Sequence, residues 1–378
     1  MGKTLLILVN NLSSLVSHRL EIALTAKKIG YEVKVAFGEL DMDTKILTEK
    51  GIDTFHVPIS RGGVNPFKEM WYFLSLCVLF FRLRPDVLHL VTIKPYLYGG
   101  IAARLVGVPC VVSAIAGLGS LFIQDNLFSR LTRLLLYPIY CMAFAHPNQC
   151  VIVQNEEDSK LLVKWGALKP KKIHLIHGSG VNLDIFKNFD EPCGIPTVCF
   201  AARLLQEKGV YDFVIAAGLL RSRGVRARFW LAGNQDLENP SGLKNKDLKQ
   251  IHKKGNVEIL GYQKDIVTLY SRSNIVCLPS YREGLPKSLV EAAAASRAVV
   301  TTDVPGCRDA IIPNETGLLV PIKKPEKLAD ALQLLIENPS KRSVMGRAGR
   351  RLAERRFDIK IIVQKHLKIY QELLVNLR

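Results

Sequence analysis

Short runs of aliphatic and β-branched residues alternate with longer segments of helical period along nearly the whole chain. This alternation predicts βαβ units wound into parallel sheets. In the first half the strand candidates are residues 4–9 (TLLILV), 31–37, 53–59, 86–92 (DVLHLVT), 110–115, 150–155 and 172–177. Helix-like stretches separate them at 17–29, 66–83, 96–106, 127–145 and 156–166. The second half repeats the scheme, with strands at 197–203, 227–233, 257–262, 274–280, 298–304 and 317–321. Glycines, prolines and acidic residues interrupt the period over 178–196, and one long helix is expected over 358–377. The expected fold class is therefore α/β, with two doubly wound, Rossmann-like domains facing a cleft. Residues 1–185 would form the first, residues 186–357 the second, and the segment 358–378 would be free to cross back to the first. In open sheets of this kind ligands bind beyond the carboxyl ends of the strands.

Composition narrows the partners. With 378 residues, 48% hydrophobic and 23% charged, the chain is ordinary for two globular domains. Its net charge of +18 favours an anion: nucleic acid, acidic lipid or a phosphorylated small molecule. No helix-turn-helix or RRM signature accompanies the charge, so nucleic acid is not expected as a partner. Two basic clusters, RSRGVRARF (221–229) and RAGRRLAERRF (347–357), fall in segments that read as helix. Each fits a solvated cationic face or contact with acidic lipid headgroups. The eight cysteines are scattered without a C-x-x-C pair, as expected of reduced core thiols in a cytosolic protein. The first apolar run is too short for a signal peptide and reads as a buried strand. The longest apolar stretch, 70–81, falls short of the roughly 20 residues a membrane span needs. Lys68, Arg82 and Arg84 flank it, so this stretch and 121–144 are each either core helices or a face that docks on an anionic membrane surface. The expected location is cytoplasmic, peripheral on the inner face of the cell membrane.

The chemistry concentrates in SYREGLPKSLVEAAAASRAVV (280–300). A strand ends there, Glu283 and Gly284 turn, and Pro286 suits the first position of a helix. The N–H groups at Gly284 and Leu285 would then lie at a helix mouth able to bind phosphate or sugar oxygens. Glu291 falls on the second turn, where an i,i+4 pair with Lys287 is the purely structural alternative. Earlier in the same domain, FAARLLQEKG places Arg203 and Lys208 after another strand, on the same sheet edge. Two cations beside a helix mouth make an anion site suited to a diphosphate, with carboxylates left for hydroxyl groups.

The segments AARLLQEKG, EILGYQKDIVTLYSRSNIVCLPSYREGLPKSLVEA and GCRDAIIPNETGLLVP together resemble the retaining glycosyltransferases of family 4, which have the two-domain GT-B fold. The resemblance implies that Glu283 lies by the donor sugar, that Glu291 holds the ribose hydroxyls, and that Arg203 and Lys208 grip the diphosphate. It places Gly261 and Tyr262 by the base, and Gly284, Leu285 and Pro286 along the donor. SRGGVNPF (60–67), AGLGSLFI (116–123) and GSGVNLDIF (178–186) are similar to the branch that adds an N-acetylhexosamine, N-acetylgalactosamine being favoured, to a sugar on undecaprenyl diphosphate. On that resemblance His18, Arg19 and Lys94 lie near acceptor or donor phosphates, although His18 alone also fits a helix-start histidine. Many members carry a histidine where this chain has Ala116, which leaves the donor sugar open.

The implied substrates are a UDP-sugar and a lipid-linked acceptor, with no cofactor. A metal is not expected: no Asp-x-Asp element holds a nucleotide, and Asp41 and Asp43 in ELDMDTK read as a helix start. The resemblance implies transfer with retention of configuration. The alternative of similar architecture is a non-hydrolysing UDP-sugar epimerase, which needs no acceptor.

Overall fold

The computed structural model describes residues 2–59, 65–118, 127–237 and 239–377. Residues 60–64 and 119–126, which carry much of the 60–67 and 116–123 motifs and the start of the 121–144 segment, lie outside the described residues.

All of the expected strands form. The first sheet contains β1 (Thr4–Asn11), β2 (Glu32–Glu39), β3 (Asp53–His56), β4 (Val87–Val91), β5 (Cys110–Ile115), β6 (Gln149–Val153) and β7 (Ile173–Leu175), in the order β3-β2-β1-β4-β5-β6-β7. The second contains β8 (Thr197–Ala201), β9 (Arg228–Ala232), β10 (Glu258–Gly261), β11 (Ile275–Leu278), β12 (Ala298–Thr302) and β13 (Gly317–Val320), ordered β10-β9-β8-β11-β12-β13. Every pairing within both sheets is parallel. Parallel strands are covered on both faces, which is why β4, β5, β8 and β12 are buried at every position and read as largely apolar runs, with His89 on β4 and Ser113 on β5 among the buried polar exceptions. The edge strand β3 has no buried residue.

In each sheet the strand order reverses once, between β1 and β4 and between β8 and β11. Chains leaving adjacent strands there turn to opposite faces and leave a crevice at the carboxyl edge.

The chain divides into two compact units, residues 1–179 with 360–378, and residues 180–359. The division thus falls at Ser179 and Gly180 rather than at 185 and 186. The last helix, Ile359–Val375, belongs almost wholly to the first unit, where its Tyr370 hydroxyl lies 2.5 Å from Nδ1 of His89 on β4.

In the second unit the irregular segment after Gly180 is held by arginines. Arg297, 1% exposed, donates to the carbonyls of Phe189 and Asp190 at 2.9 and 2.8 Å. Arg342 pairs with Glu191 at 2.5 Å, and Arg350 donates to the carbonyl of Phe186. The second basic cluster is therefore not simply a solvated face, because Arg350 turns inward. The first is not wholly helical either: the Val210–Ser222 helix ends within it, Gly224 turns the chain at φ 75°, and Arg228 begins β9.

Candidate functional site

The second unit assembles its site at the β8/β11 reversal. Beyond β8 the chain makes a short 3₁₀ turn, Gln206–Lys208, closed by Gly209 at φ 73°. A β-carbon on Gly209 would lie 2.0 Å from the carbonyl oxygen of Pro279, so only glycine lets this turn seat against the segment leaving β11. The Tyr281 N–H donates to the Glu207 carbonyl at 2.8 Å, and the Ser280 hydroxyl donates to the same oxygen at 3.1 Å. Two segments far apart in sequence are thereby locked side by side. Their side chains meet: Lys208 Nζ lies 2.5 Å from Glu283 Oε1, with the side chains 17% and 10% exposed.

The helix mouth forms one residue later than the sequence suggests. Pro286 is the N-cap and the helix runs over Lys287–Ala294, a shift within the ordinary fraying of helix ends. Gly284 and Leu285 are buried just before it. Gly306, at φ 77°, packs so closely beneath that an added β-carbon would stand 2.4 Å from the Gly284 carbonyl oxygen and 2.7 Å from that of Glu283. Burial pushes the neighbouring Cys307 thiol up to about 12, so it stays protonated.

Glu291 sits on the second turn, mostly buried, with Lys287 Nζ at 3.5 Å. Burial raises its carboxyl pKa, and Lys287 only partly offsets the effect. Arg203, half exposed, pairs with Asp236 at 2.7 Å. Asp236 was missed by sequence reading, yet β9 neighbours β8 and the residues that follow it must emerge beside Arg203. Gly261 ends β10 at φ 65° with open space around it, and Tyr262 is 66% exposed. All the donor-side candidates therefore follow the carboxyl ends of β8, β10 and β11.

The first unit has its own constellation at the β1/β4 reversal. His18 closes the Leu12–His18 helix after β1, and its Nδ1 lies 3.0 Å from the Ser179 hydroxyl. Lys94 begins the Ile93–Val106 helix after β4 and forms an ion pair with Glu69 at 2.5 Å. Thr92, at φ 77°, introduces that helix in a conformation β-branched residues rarely adopt. Glu69 and Ser179 are partners that sequence reading did not identify. Arg19 departs from expectation: it is 3% exposed, its Nε and Nη1 are buried without a hydrogen-bond partner, and burial lowers its pKa to about 10. A guanidinium so enclosed is part of the interior rather than of an open binding edge. The Asp43 carboxylate accepts from the Lys45 N–H at 2.9 Å, at the start of the Lys45–Thr48 helix, whereas Asp41 reaches 28 residues back and accepts from the Ser13 N–H at 3.0 Å, in the first turn of the Leu12–His18 helix.

Two family descriptions match the chain: "Glycosyl transferase 4-like" over residues 5–155 and "Glycosyl transferases group 1" over residues 182–352. The N,N'-diacetylbacillosaminyl-diphospho-undecaprenol alpha-1,3-N-acetylgalactosaminyltransferase of Campylobacter jejuni is 31% identical over 89% of this chain and 90% of its own length. The UDP-Gal:alpha-D-GlcNAc-diphosphoundecaprenol alpha-1,3-galactosyltransferase of Escherichia coli is 24% identical over 87% and 86%. Among solved structures, Anabaena Alr3699/HepE in complex with UDP and glucose superposes with a TM-score of 0.79 at 16% identity, covering 97% of this chain and 99% of that one.

Proposed function

The chain belongs to the group 1 glycosyl transferases, and we propose that it moves an N-acetylhexosamine, with N-acetylgalactosamine favoured, from a UDP-sugar to a saccharide on undecaprenyl diphosphate, acting at the inner face of the cell membrane. The observation that carries the reading is the contact of Lys208 with Glu283, 75 residues apart in sequence, at the carboxyl edge of the β8/β11 reversal. A cation and a carboxylate set there suit a donor whose diphosphate must be neutralised while its sugar hydroxyls are held. The named substrates of the Campylobacter and Escherichia relatives support the lipid-linked acceptor.

In this reading the diphosphate displaces Glu283 as the partner of Lys208 and meets Arg203 and the N–H groups around Gly284, Leu285 and Pro286. Once Lys208 has exchanged Glu283 for the diphosphate, charge developing on the departing nucleoside diphosphate is stabilised by these groups, which the fold holds at the β8/β11 edge. Protein cations take the role a metal plays elsewhere. Glu283, released, contacts the donor sugar; Glu291 accepts from the ribose hydroxyls; Gly261 and Tyr262 border the base. His18 and Lys94 face the acceptor phosphates. The leaving phosphate oxygen takes the acceptor proton on the donor's own face, giving retention.

The test is product formation from a panel of UDP-sugars with a polyprenyl-diphosphate-linked N-acetylhexosamine, with and without EDTA, the anomeric configuration being read by NMR. The expected outcome is lipid-dependent, EDTA-resistant transfer with retention. Interconversion of the UDP-sugar without an acceptor would instead establish an epimerase.

A further inference from the structure

Three helices lie side by side over the first sheet. The Pro66–Leu83 helix packs on the Ile93–Val106 helix, which packs in turn on the Leu127–Ala143 helix. The first and third share an unusual distribution. Tyr72, Leu76 and Phe80 bury one side of the Pro66–Leu83 helix in the hydrophobic core. The opposite side is apolar too: Phe67, Met70, Trp71, Leu74, Val78 and Phe81 are all exposed, Phe67 at 87% and Trp71 at 65%. At about 100° per residue these six fall within an arc of roughly 100°, centred opposite the buried side. The Leu127–Ala143 helix repeats the arrangement, with Tyr140 and Ala143 in the same core and Leu127, Leu131, Leu134, Leu135 and Met142 exposed on the other side.

Charge around these stripes has one sign. Lys68, Arg82 and Arg84 border the first and Arg130 lies beside the second, all exposed. The three helices contain a single acidic residue, Glu69, which is buried in its ion pair with Lys94. Among the described residues no helix is long and apolar enough to cross a membrane.

We infer that the outward faces of the Pro66–Leu83 and Leu127–Ala143 helices dock the first unit on an anionic lipid bilayer, an inference that rests on the lipid-linked acceptor proposed above. The stripes enter the boundary between headgroups and acyl chains, and the bordering cations meet anionic headgroups. A second copy of this chain is a poor occupant, because two-fold association through the same patch sets these cations against one another. The Glu69–Lys94 pair ties the first turn of the docking helix to a residue assigned to the acceptor, so the surface that meets the bilayer also fixes the place where the lipid diphosphate is received.

The experiment is sedimentation of the full chain with vesicles of phosphatidylcholine alone or mixed with phosphatidylglycerol, together with quenching of tryptophan emission by brominated lipid. We expect binding to the anionic vesicles, quenching through Trp71, and a loss of about tenfold or more in vesicle affinity in the Trp71→Glu/Val78→Glu double variant, consistent with removal of buried apolar area. Both substituted positions are exposed, and quenching of the unaltered protein stands as a separate readout should the variant misfold. Absence of vesicle binding, absence of quenching, undiminished affinity in a folded double variant, or a lipid-free dimer dissolved by that variant would each overturn the inference. Vesicle binding without transfer to any lipid-linked acceptor would leave docking intact and remove the transferase reading; transfer to a water-soluble acceptor without vesicle binding would do the reverse.

Discussion

Lys208 and Glu283 satisfy one another at 2.5 Å while little exposed to solvent, so each is costly to leave alone. Lys208→Ala should lower kcat by on the order of a hundredfold or more, the scale seen when a preorganised electrostatic stabiliser is removed. Steady-state turnover decides it: an unchanged kcat would remove Lys208 from leaving-group stabilisation. Glu291 poses a different balance. Its carboxyl pKa is raised above 4.5 by burial, so the folded protein holds that proton more tightly than the unfolded chain. Stability of the ligand-free protein should therefore fall as pH rises through a window opening near 4.5. Glu291→Gln removes this slope, and the variant should melt at the same or a higher temperature at neutral pH while binding UDP more weakly. Melting curves across pH with calorimetric UDP titration separate the effects. A lower melting temperature with unchanged UDP affinity would make Glu291 a structural residue.

The elements show what the chain declares locally and what it does not. The central strands β4, β5, β6, β8, β11 and β12 are legible because parallel strands covered on both faces are largely apolar, the edge strands β3, β7 and β10 only through the alternation they continue, and the Pro66–Leu83 helix because Asn65 caps it, accepting from the Phe67 and Lys68 N–H groups, with Pro66 at its start. The donor-side candidates were legible for a similar reason: each follows a strand end. Arg19 was not, because the feature that encloses it comes from the far end of the chain. His366 and Tyr370 of the Ile359–Val375 helix sit with His89 and Arg19 in one buried group, the two imidazole rings stacked at 5.7 Å. No local pattern pairs residues so distant. Burial holds His366 down to about 3, the Arg19 cation adding to the effect. The unfolded chain thus gains a proton below about 6.5 that the folded one refuses until about 3, and the histidine withdraws stability as pH falls through that interval. His366→Gln should flatten the acid limb of the stability curve, measured by denaturant titration between those limits. Tyr370→Phe should cost about 1–3 kcal/mol at neutral pH by orphaning the buried His89 nitrogen.

For the whole molecule, two units with separate cores and separate constellations mean that donor affinity should be thermodynamically local. The residues assigned to UDP lie between Arg203 and Glu291, inside the unit of residues 180–359. A ligand that binds only folded protein stabilises it by an amount set by its concentration over Kd, about 2.7 kcal/mol at a hundredfold excess. Calorimetry of the full chain should therefore show UDP raising the transition of that unit, and hydrogen exchange should slow in 201–209, 259–262 and 281–292. The sheet strands β1 to β7 should exchange as before, since none of the residues assigned to UDP belongs to that unit. Protection spread evenly over both units would mean either that nucleotide is also held by residues after β1 and β4, or that the units unfold as one. Removing residues 360–378 distinguishes these, because the loss strips His366 and Tyr370 from the first core while leaving every assigned donor residue in place. If UDP still protects 281–292 in the shortened chain, the donor site is self-contained in the second unit, and any shared protection in the full chain reflects cooperative unfolding.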